Sequence, residues 1–540
     1  MTEVFARKAS GLVREASLID TFGIGFMNNG VGIAIWTMTS WGIFLAPQGN
    51  MFLGVLLSVF FCVFGVALVW GMLGGSMPRS GGDYIPNSRI IHPAVGVAVS
   101  MANAGFIMTF WIALLAPWVA DPGMVILGGV LGYDTAWFSS TTGLFVCATV
   151  VNIWGFIIVS MGLRHYNTWQ RIIMFAATFC LVVIGIVMTV NSNADFVDSY
   201  NAAADEFGSY DYDETIARAD QGRAIEELSP IGTPDGIDWA ATLALFPAIS
   251  WGTAYGYQIT FICGEVKRPQ RNIILGQVLA ALIPGIFMMW FAWGLPRLMG
   301  TEFVQAAAYF DNGGIDETQA IIDGFALPAG ANFVSLLSVL ASNKVLLFVM
   351  GAMFLLYDIL WMPISYIAWN RASFAWGMDR LGPMWFTDVN PRFATVIKTN
   401  FVLLILGELG IIIYSLNAEY ILGLGITTLE AMSVWGVTGI SAILFAYVPR
   451  AKVIWEASPY RWRIGPLPVI TIAGILNTIY IAILLFELET TEGIEWIKNY
   501  ATWIYIAVWV FAVGWYFVWK RYWMTKGIDI TMAWKELPPA

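Results

Sequence analysis

The chain has 540 residues, of which 58% are hydrophobic, 15% aromatic and only 12% charged, with a net charge of -10 and a mean hydropathy of +0.70. Length alone would suit several soluble domains, but this composition places the chain among all-α polytopic membrane proteins. The acidic balance argues against nucleic acid as a partner. The sequence contains no Gly-rich phosphate loop with Lys, no nucleophile elbow and no HExxH motif, so it reads as a protein without enzymatic machinery or cofactor.

Twelve apolar segments are long enough to cross a bilayer: 19–46, 51–74, 94–118, 141–161, 172–190, 238–263, 273–296, 345–369, 399–416, 421–448, 466–486 and 499–519. They are numbered 1 to 12 below. The polar N-terminal tail, 1–18, carries Arg7, Lys8 and Arg14 without a small-residue cleavage pattern, so segment 1 is expected to be its own uncleaved signal. With both tails, 1–18 and 523–540, placed in the cytoplasm of a cell bounded by this membrane, every Lys and Arg except Arg218, Arg223, Arg297, Lys344 and Lys498 falls on the inner side. That bias fixes the expected orientation by the positive-inside rule.

Segment 1 reads TFGIGFMNNGVGIAIWTMTSWGI over 21–43, with the weak helix formers Asn28, Asn29, Gly30, Val31 and Gly32 at its middle. In hydrocarbon every peptide group needs an internal partner, so a helix weakened at that depth is tolerated only where it lines a protein-buried cavity. The outer loop that follows segment 5, 191–237, is strongly acidic. Counted to Asp238 it holds twelve carboxylates against Arg218 and Arg223, as much net charge as the whole chain. It reads as a solvated loop or as a vestibule that attracts cations, with a short surface helix over 213–228. The four cysteines, Cys62, Cys147, Cys180 and Cys263, lie inside apolar segments as small apolar residues. His92 and His165 sit at inner loops, so no metal-ligating constellation is visible.

Segment 6 repeats the interruption, with Pro247, Ser250, Gly252, Thr253 and Gly256 near mid-segment. Segment 1 runs outward, segment 6 runs inward, and each opens a block of five. The halves 19–190 and 238–448 therefore read as an inverted repeat, with 449–522, containing segments 11 and 12, added at the periphery. The aromatic residues from Trp503 to Trp515 on segment 12 suit a lipid interface.

Four stretches carry a family resemblance: NNGVG in segment 1, MPRSGGDY over 77–84, GEVKRPQRN over 264–272 and NRASFAWGMDRLGP over 370–383. Together they resemble the amino acid permeases of the amino acid-polyamine-organocation superfamily. The resemblance implies twelve transmembrane helices in a five-plus-five inverted repeat, LeuT-like, with broken helices 1 and 6 holding an amino acid between them. On that reading the backbone around Asn28, Asn29, Gly30, Val31 and Gly32 donates to the substrate carboxylate. Carbonyls near Ser250, Trp251, Gly252, Thr253 and Ala254 accept from its ammonium, with Trp251 or Tyr255 as an aromatic gate.

Asp358, Glu408 and Glu430 are carboxylates at membrane depth and therefore functional candidates. Asp358 is the preferred ion-coupling residue, because in related transporters a sodium site lies between helices 1 and 8; it suits either sodium or a proton. The segment 5 lysine of proton-coupled relatives is missing, with Ala177 and Thr178 in the matching stretch. Glu408 reads as facing a neighbouring helix, and Glu430, beside Thr427 and Thr428, as lining an outer vestibule or bonded to those hydroxyls. The resemblance makes Asp83 and Glu265 an inner gate among Arg79, Arg89, Lys267, Arg268 and Arg271; solvated surface pairs are the competing reading. The expectation is a secondary amino acid transporter of the plasma membrane working by alternating access, driven by a proton or sodium gradient. The alternative is a permease-like sensor or non-transporting subunit, which the short tails disfavour; a channel lacks any charge ring. The substrate's identity and the oligomeric state are open.

Overall fold

A computed structural model describes residues 11–423, 432–491, 496–535 and 537, and they are mostly helical. Among the described residues ten helices are long and apolar enough to cross a membrane: segments 1 to 5, 7 to 9, 11 and 12. Segments 6 and 10 are not among those ten. Segment 6 is divided into Trp239–Ala244, Phe246–Thr253 and a 3-10 stretch, Tyr255–Glu265. Segment 10 is described at 421–423 and again from 432, with a helix over Met432–Leu444, so Thr427, Thr428 and Glu430 lie outside the described residues, as do 1–10 of the N-terminal tail, 536 and 538–540. A bent pair, Ser433–Leu444 with Pro449–Glu456, turns by 80° and brings the count to eleven if taken as one span.

Several segments outgrow their apolar windows. Segment 3 extends over Pro93–Val130, segment 5 over Leu163–Val190 and segment 8 over Lys344–Met378. Within segment 8 the helix lapses between Asp358 and Trp361. Pro363 accounts for that: it has no N–H to return to the Ile359 carbonyl and its ring crowds the turn before it.

Burial sorts the helices into an inner and an outer set. The apolar windows of segments 1 and 3 are 83% buried within the protein, against 22% for segment 12. Segment 12 is thus the least buried of these helices, although Trp515 and Trp523 donate to the carbonyls of Leu381 and Arg380. Segment 11 is not a peripheral addition. Its Asn477 donates to the Trp435 carbonyl of segment 10 at 2.9 Å, and its Tyr480 hydroxyl meets Ser58 of segment 2 at 2.8 Å. Such hydrogen bonds fix helices whose apolar faces gain nothing by leaving lipid.

The acidic loop 191–237 is folded. It forms Asn193–Phe207 and Tyr212–Ile225, the second close to the surface helix expected over 213–228. Phe196, Tyr200 and Tyr212 pack on Phe303 of the helix Thr301–Asn312, with Tyr212 stacked at 4.8 Å. Arg223 is buried and donates to the carbonyls of Ser229 and Phe44, which clamps the loop to the end of segment 1.

On the opposite face, Asp83 and Glu265 are buried, at 1% and 2% exposure, so the reading as solvated surface pairs is overturned. Their expected neighbours also change: Glu265 pairs with Arg371 at 2.9 Å, while Arg89 pairs with Asp379 at 2.6 Å. A buried ion is tolerated only with a well-placed partner. Replacing Arg371 by Ala strands the Glu265 carboxylate and is expected to cost about 3–5 kcal/mol. Thermal unfolding in detergent checks this, with Glu265→Gln in the same chain expected to recover part of the loss.

Candidate functional site

Segment 1 breaks at Gly30. The helix Leu18–Asn29 ends there, Gly30 takes the left-handed conformation (φ 51°, ψ 53°), and a second helix starts with Val31–Thr37. Glycine is required twice over at this point. A side chain would be strained at that φ, and a Cβ would lie 2.5 Å from Cζ2 of Trp361. Among the described residues no side chain caps the start of Val31–Thr37, so its first backbone N–H groups and positive dipole end face inward at the break.

Segment 6 is interrupted at Leu245, two residues before Pro247, and again at Ala254, within the Ser250–Gly256 stretch of weak helix formers. Pro247 occupies the first turn of Phe246–Thr253, where a missing N–H costs nothing. The second interruption falls at Ala254, after which the chain tightens into the 3-10 stretch. The Ser250 carbonyl is taken up by the Ala254 N–H at 2.9 Å, and the Tyr255 carbonyl accepts from Asn28 Nδ2 at 2.8 Å. That last bond joins the two breaks directly. Asn29 turns the other way and donates to the Ala280 carbonyl of segment 7.

The eleven residues expected around the substrate do not all face one point. Asn28, Gly30, Trp251 and Tyr255 converge: Trp361 Nε1 donates to the Asn28 carbonyl at 3.1 Å, and the Trp251 ring lies 6.1 Å from Trp361 and 5.8 Å from Tyr255. Gly32 backs onto Met353 and Tyr357 of segment 8, and Gly252 onto Ala34 and Met288. The Thr253 hydroxyl points to Ser58 and Cys62 of segment 2. Ser250 folds its hydroxyl back on the Pro247 carbonyl.

Three residues that the sequence did not single out complete an aromatic shell. Trp111 of segment 3 lies 5.1 Å from Tyr255, Trp435 of segment 10 lies 5.0 Å from it, and Trp361 covers Gly30. Within this shell Asn28 Oδ1, Tyr255 Oη and Trp111 Nε1 are buried with no hydrogen-bond partner among the described residues. Unpaired buried polar atoms are costly in a finished core. Here they offer one acceptor and two donors to a small polar ligand. The one signal for Trp361 in the sequence is its place one helical turn beyond Asp358.

Asp358 ends the first helix of segment 8 and is fully buried, with neither carboxylate oxygen hydrogen-bonded among the described residues. Its neighbour Tyr357 packs on Gly32, so the lapse in segment 8 sits against the break in segment 1. Glu408 takes no part in this site: it accepts from Thr149 at 2.5 Å and Asn152 at 3.1 Å, both on segment 4. Asp83 accepts from Trp70 Nε1 at 3.0 Å and from Asn103 Nδ2. Glu265 accepts from Ser80 and Arg371.

A family model described as amino acid permease matches residues 28–513 of the chain. No curated protein matches it.

Gly30→Ala is expected to weaken binding of a labelled amino acid by about tenfold or more, through left-handed strain of about 1–3 kcal/mol and displacement of Trp361. Equilibrium binding to detergent-solubilised protein reads this, alongside a gel-filtration profile that reports folding. Unchanged affinity in a folded variant would make the break a packing feature.

Proposed function

The chain belongs to the amino acid permease family, and from that premise we propose that it carries an amino acid across the plasma membrane by alternating access between the two breaks. The family supports a multi-pass membrane transporter of amino acids. Our finer reading is that all twelve segments span, that 19–190 and 238–448 are the two halves of an inverted repeat, and that 449–522 supplies the last two helices. Both tails face the cytoplasm in this reading, and the folded loop 191–237 lies outside.

One observation carries the proposal: the Asn28 side chain bonds the Tyr255 carbonyl, so the interrupted backbones of segments 1 and 6 share one aromatic shell. A zwitterion needs donors for its carboxylate and acceptors for its ammonium. The uncapped start of Val31–Thr37 serves the first need. Asn28 Oδ1 serves the second, with Trp111 and Tyr255 as further donors. Closure of Trp251 and Tyr255 over the ligand excludes water and strengthens each of these contacts.

In this reading Asp358 couples transport to a proton or sodium gradient. A buried carboxylate without a cation is neutral or ion-bound, and switching between those conditions beside the break links its charge to the site. Asp83 and Glu265 belong to the inner gate, which parts when the site opens to the cytoplasm.

Uptake of a panel of labelled amino acids into proteoliposomes, under an inward sodium gradient, an inward proton gradient and neither, tests the reading. Accumulation under one gradient names the ion; the absence of both uptake and exchange against preloaded amino acid would overturn the transport proposal. Asp358→Asn is expected to keep exchange and lose gradient-driven accumulation. Full accumulation in that variant would remove Asp358 from coupling.

A further inference from the structure

Three carboxylates are buried together near the ends of segments 2, 6 and 8, and they are not equivalent. Glu265 has Arg371 and Asp379 has Arg89, whereas among the described residues Asp83 has only neutral donors, the Trp70 indole and the Asn103 amide. The surrounding charges are committed elsewhere. Arg450 donates to the carbonyls of Ser88 and Ile91, Arg79 to that of Pro78, and the Tyr84 hydroxyl to Asp379. Of the titratable groups on other helices, Tyr257 of segment 6 faces Asp83 most directly, through Asn103. His92, which caps the helix Pro93–Ser100, accepts from the Ala94 N–H.

A chain of side-chain hydrogen bonds leads from Asp83 toward the break in segment 6. Asn103 bridges it, giving its N–H to Asp83 and accepting the Tyr257 hydroxyl at 2.7 Å. Gln258 Nε2 donates to the same hydroxyl at 3.2 Å, and Gln258 Oε1 is buried with no partner among the described residues. Turning over the two amides, which exchanges oxygen and nitrogen positions of nearly equal shape, reverses the chain. Asp83 then donates to Asn103, Asn103 donates to Tyr257, and Tyr257 donates to Gln258 Oε1. The reversed chain gives the Gln258 oxygen a donor in exchange for the long 3.5 Å contact of Gln258 Nε2 to Met108 Sδ, and it requires a proton on Asp83.

We propose that Asp83 is a proton-binding site of the inner gate, holding a proton while segments 2, 3 and 6 are locked together and surrendering it to water on that side when they part. The proposal rests on the alternating-access reading for its opening step, and it is separate from any coupling role of Asp358. The proton comes from water on the gate side and returns there, so no other reactant enters. Burial, opposed by the bonds from Asn103 and Trp70, pushes the Asp83 carboxyl from its ordinary 3.8 up to about 6 in the closed gate. Opening hydrates it and lets that value fall back. The closed gate is therefore favoured relative to the open one as pH drops through about 6, and loses that advantage as pH rises above it.

The test is exchange of labelled amino acid across proteoliposomes held at equal pH on both sides, from about pH 5 to about pH 8. The wild-type rate is expected to fall several-fold on the acid side, with a midpoint near 6. Asp83→Asn, a mimic of the protonated residue, is expected to be slow and flat across that range. A wild-type pH profile in Asp83→Asn would overturn the proposal. If that variant does not fold, Asp83→Glu is expected to fold and move the midpoint, and an unmoved midpoint overturns it equally. Failure of the wild type to exchange at all would instead sink the transport reading. Infrared difference spectra between acid and alkaline pH then decide the proton site, by whether a protonated carboxyl band disappears in Asp83→Asn or Asp83→Glu shifts it.

Discussion

A single hydrogen bond, from the Asn28 side chain to the Tyr255 carbonyl, makes two interrupted helices compatible with one bundle. Hydrocarbon supplies no water to an unpaired peptide group, so a break at membrane depth must be satisfied by side chains from elsewhere in the fold. Asn28 does that for segment 6, and Trp361 returns the service by donating to the Asn28 carbonyl. The remaining backbone groups at Val31–Thr37 stay available because the surrounding wall is protein rather than lipid. What looks like weakness in the helix is thus a directed set of donors.

The same constraint governs charge. Arg89, Asp379, Arg371 and Glu265 are buried in pairs near the segment ends, where each ion is offset by its partner. Tyr84 and Trp534 extend the first pair toward the C-terminal helix turn Ile530–Trp534, with Trp534 donating to the Tyr84 hydroxyl at 3.0 Å. Asp83 and Asp358 stand outside this scheme, buried without a cation among the described residues. Groups of that kind respond to a proton or an ion by changing charge, whereas paired ions resist the change.

The aromatic shell links these regions. Trp36, Trp118, Trp361, Trp251 and Tyr255 follow one another at ring separations between 5.7 and 6.4 Å, across segments 1, 3, 6 and 8. At one end Trp36 donates to Asp311 on the helix Thr301–Asn312. At the other, Tyr255 leads through Tyr257 to Trp70, which holds Asp83. These rings pack tilted or edge to face and form one continuous run of aromatic contacts.

The membrane class, the apolar segments and the break at Gly30 were legible in the sequence alone, since they depend on local composition and on helix propensities that act within a few residues. The family was legible from short runs such as GEVKRPQRN. The interruption of segment 6 around Pro247 to Gly256 was legible too, but the tightening into 3-10 geometry after Ala254 was not, because tertiary packing selects it. Nor were Trp111, Trp361 and Trp435 distinguishable from other apolar aromatics: residues hundreds of positions apart meet only when the helices pack. Asp83 and Glu265 were visible as charges, but the sequence could not say which of them had a cation. The tertiary structure decided that, because pairing depends on which helix ends meet, and a buried charge without a partner behaves differently from one that has it.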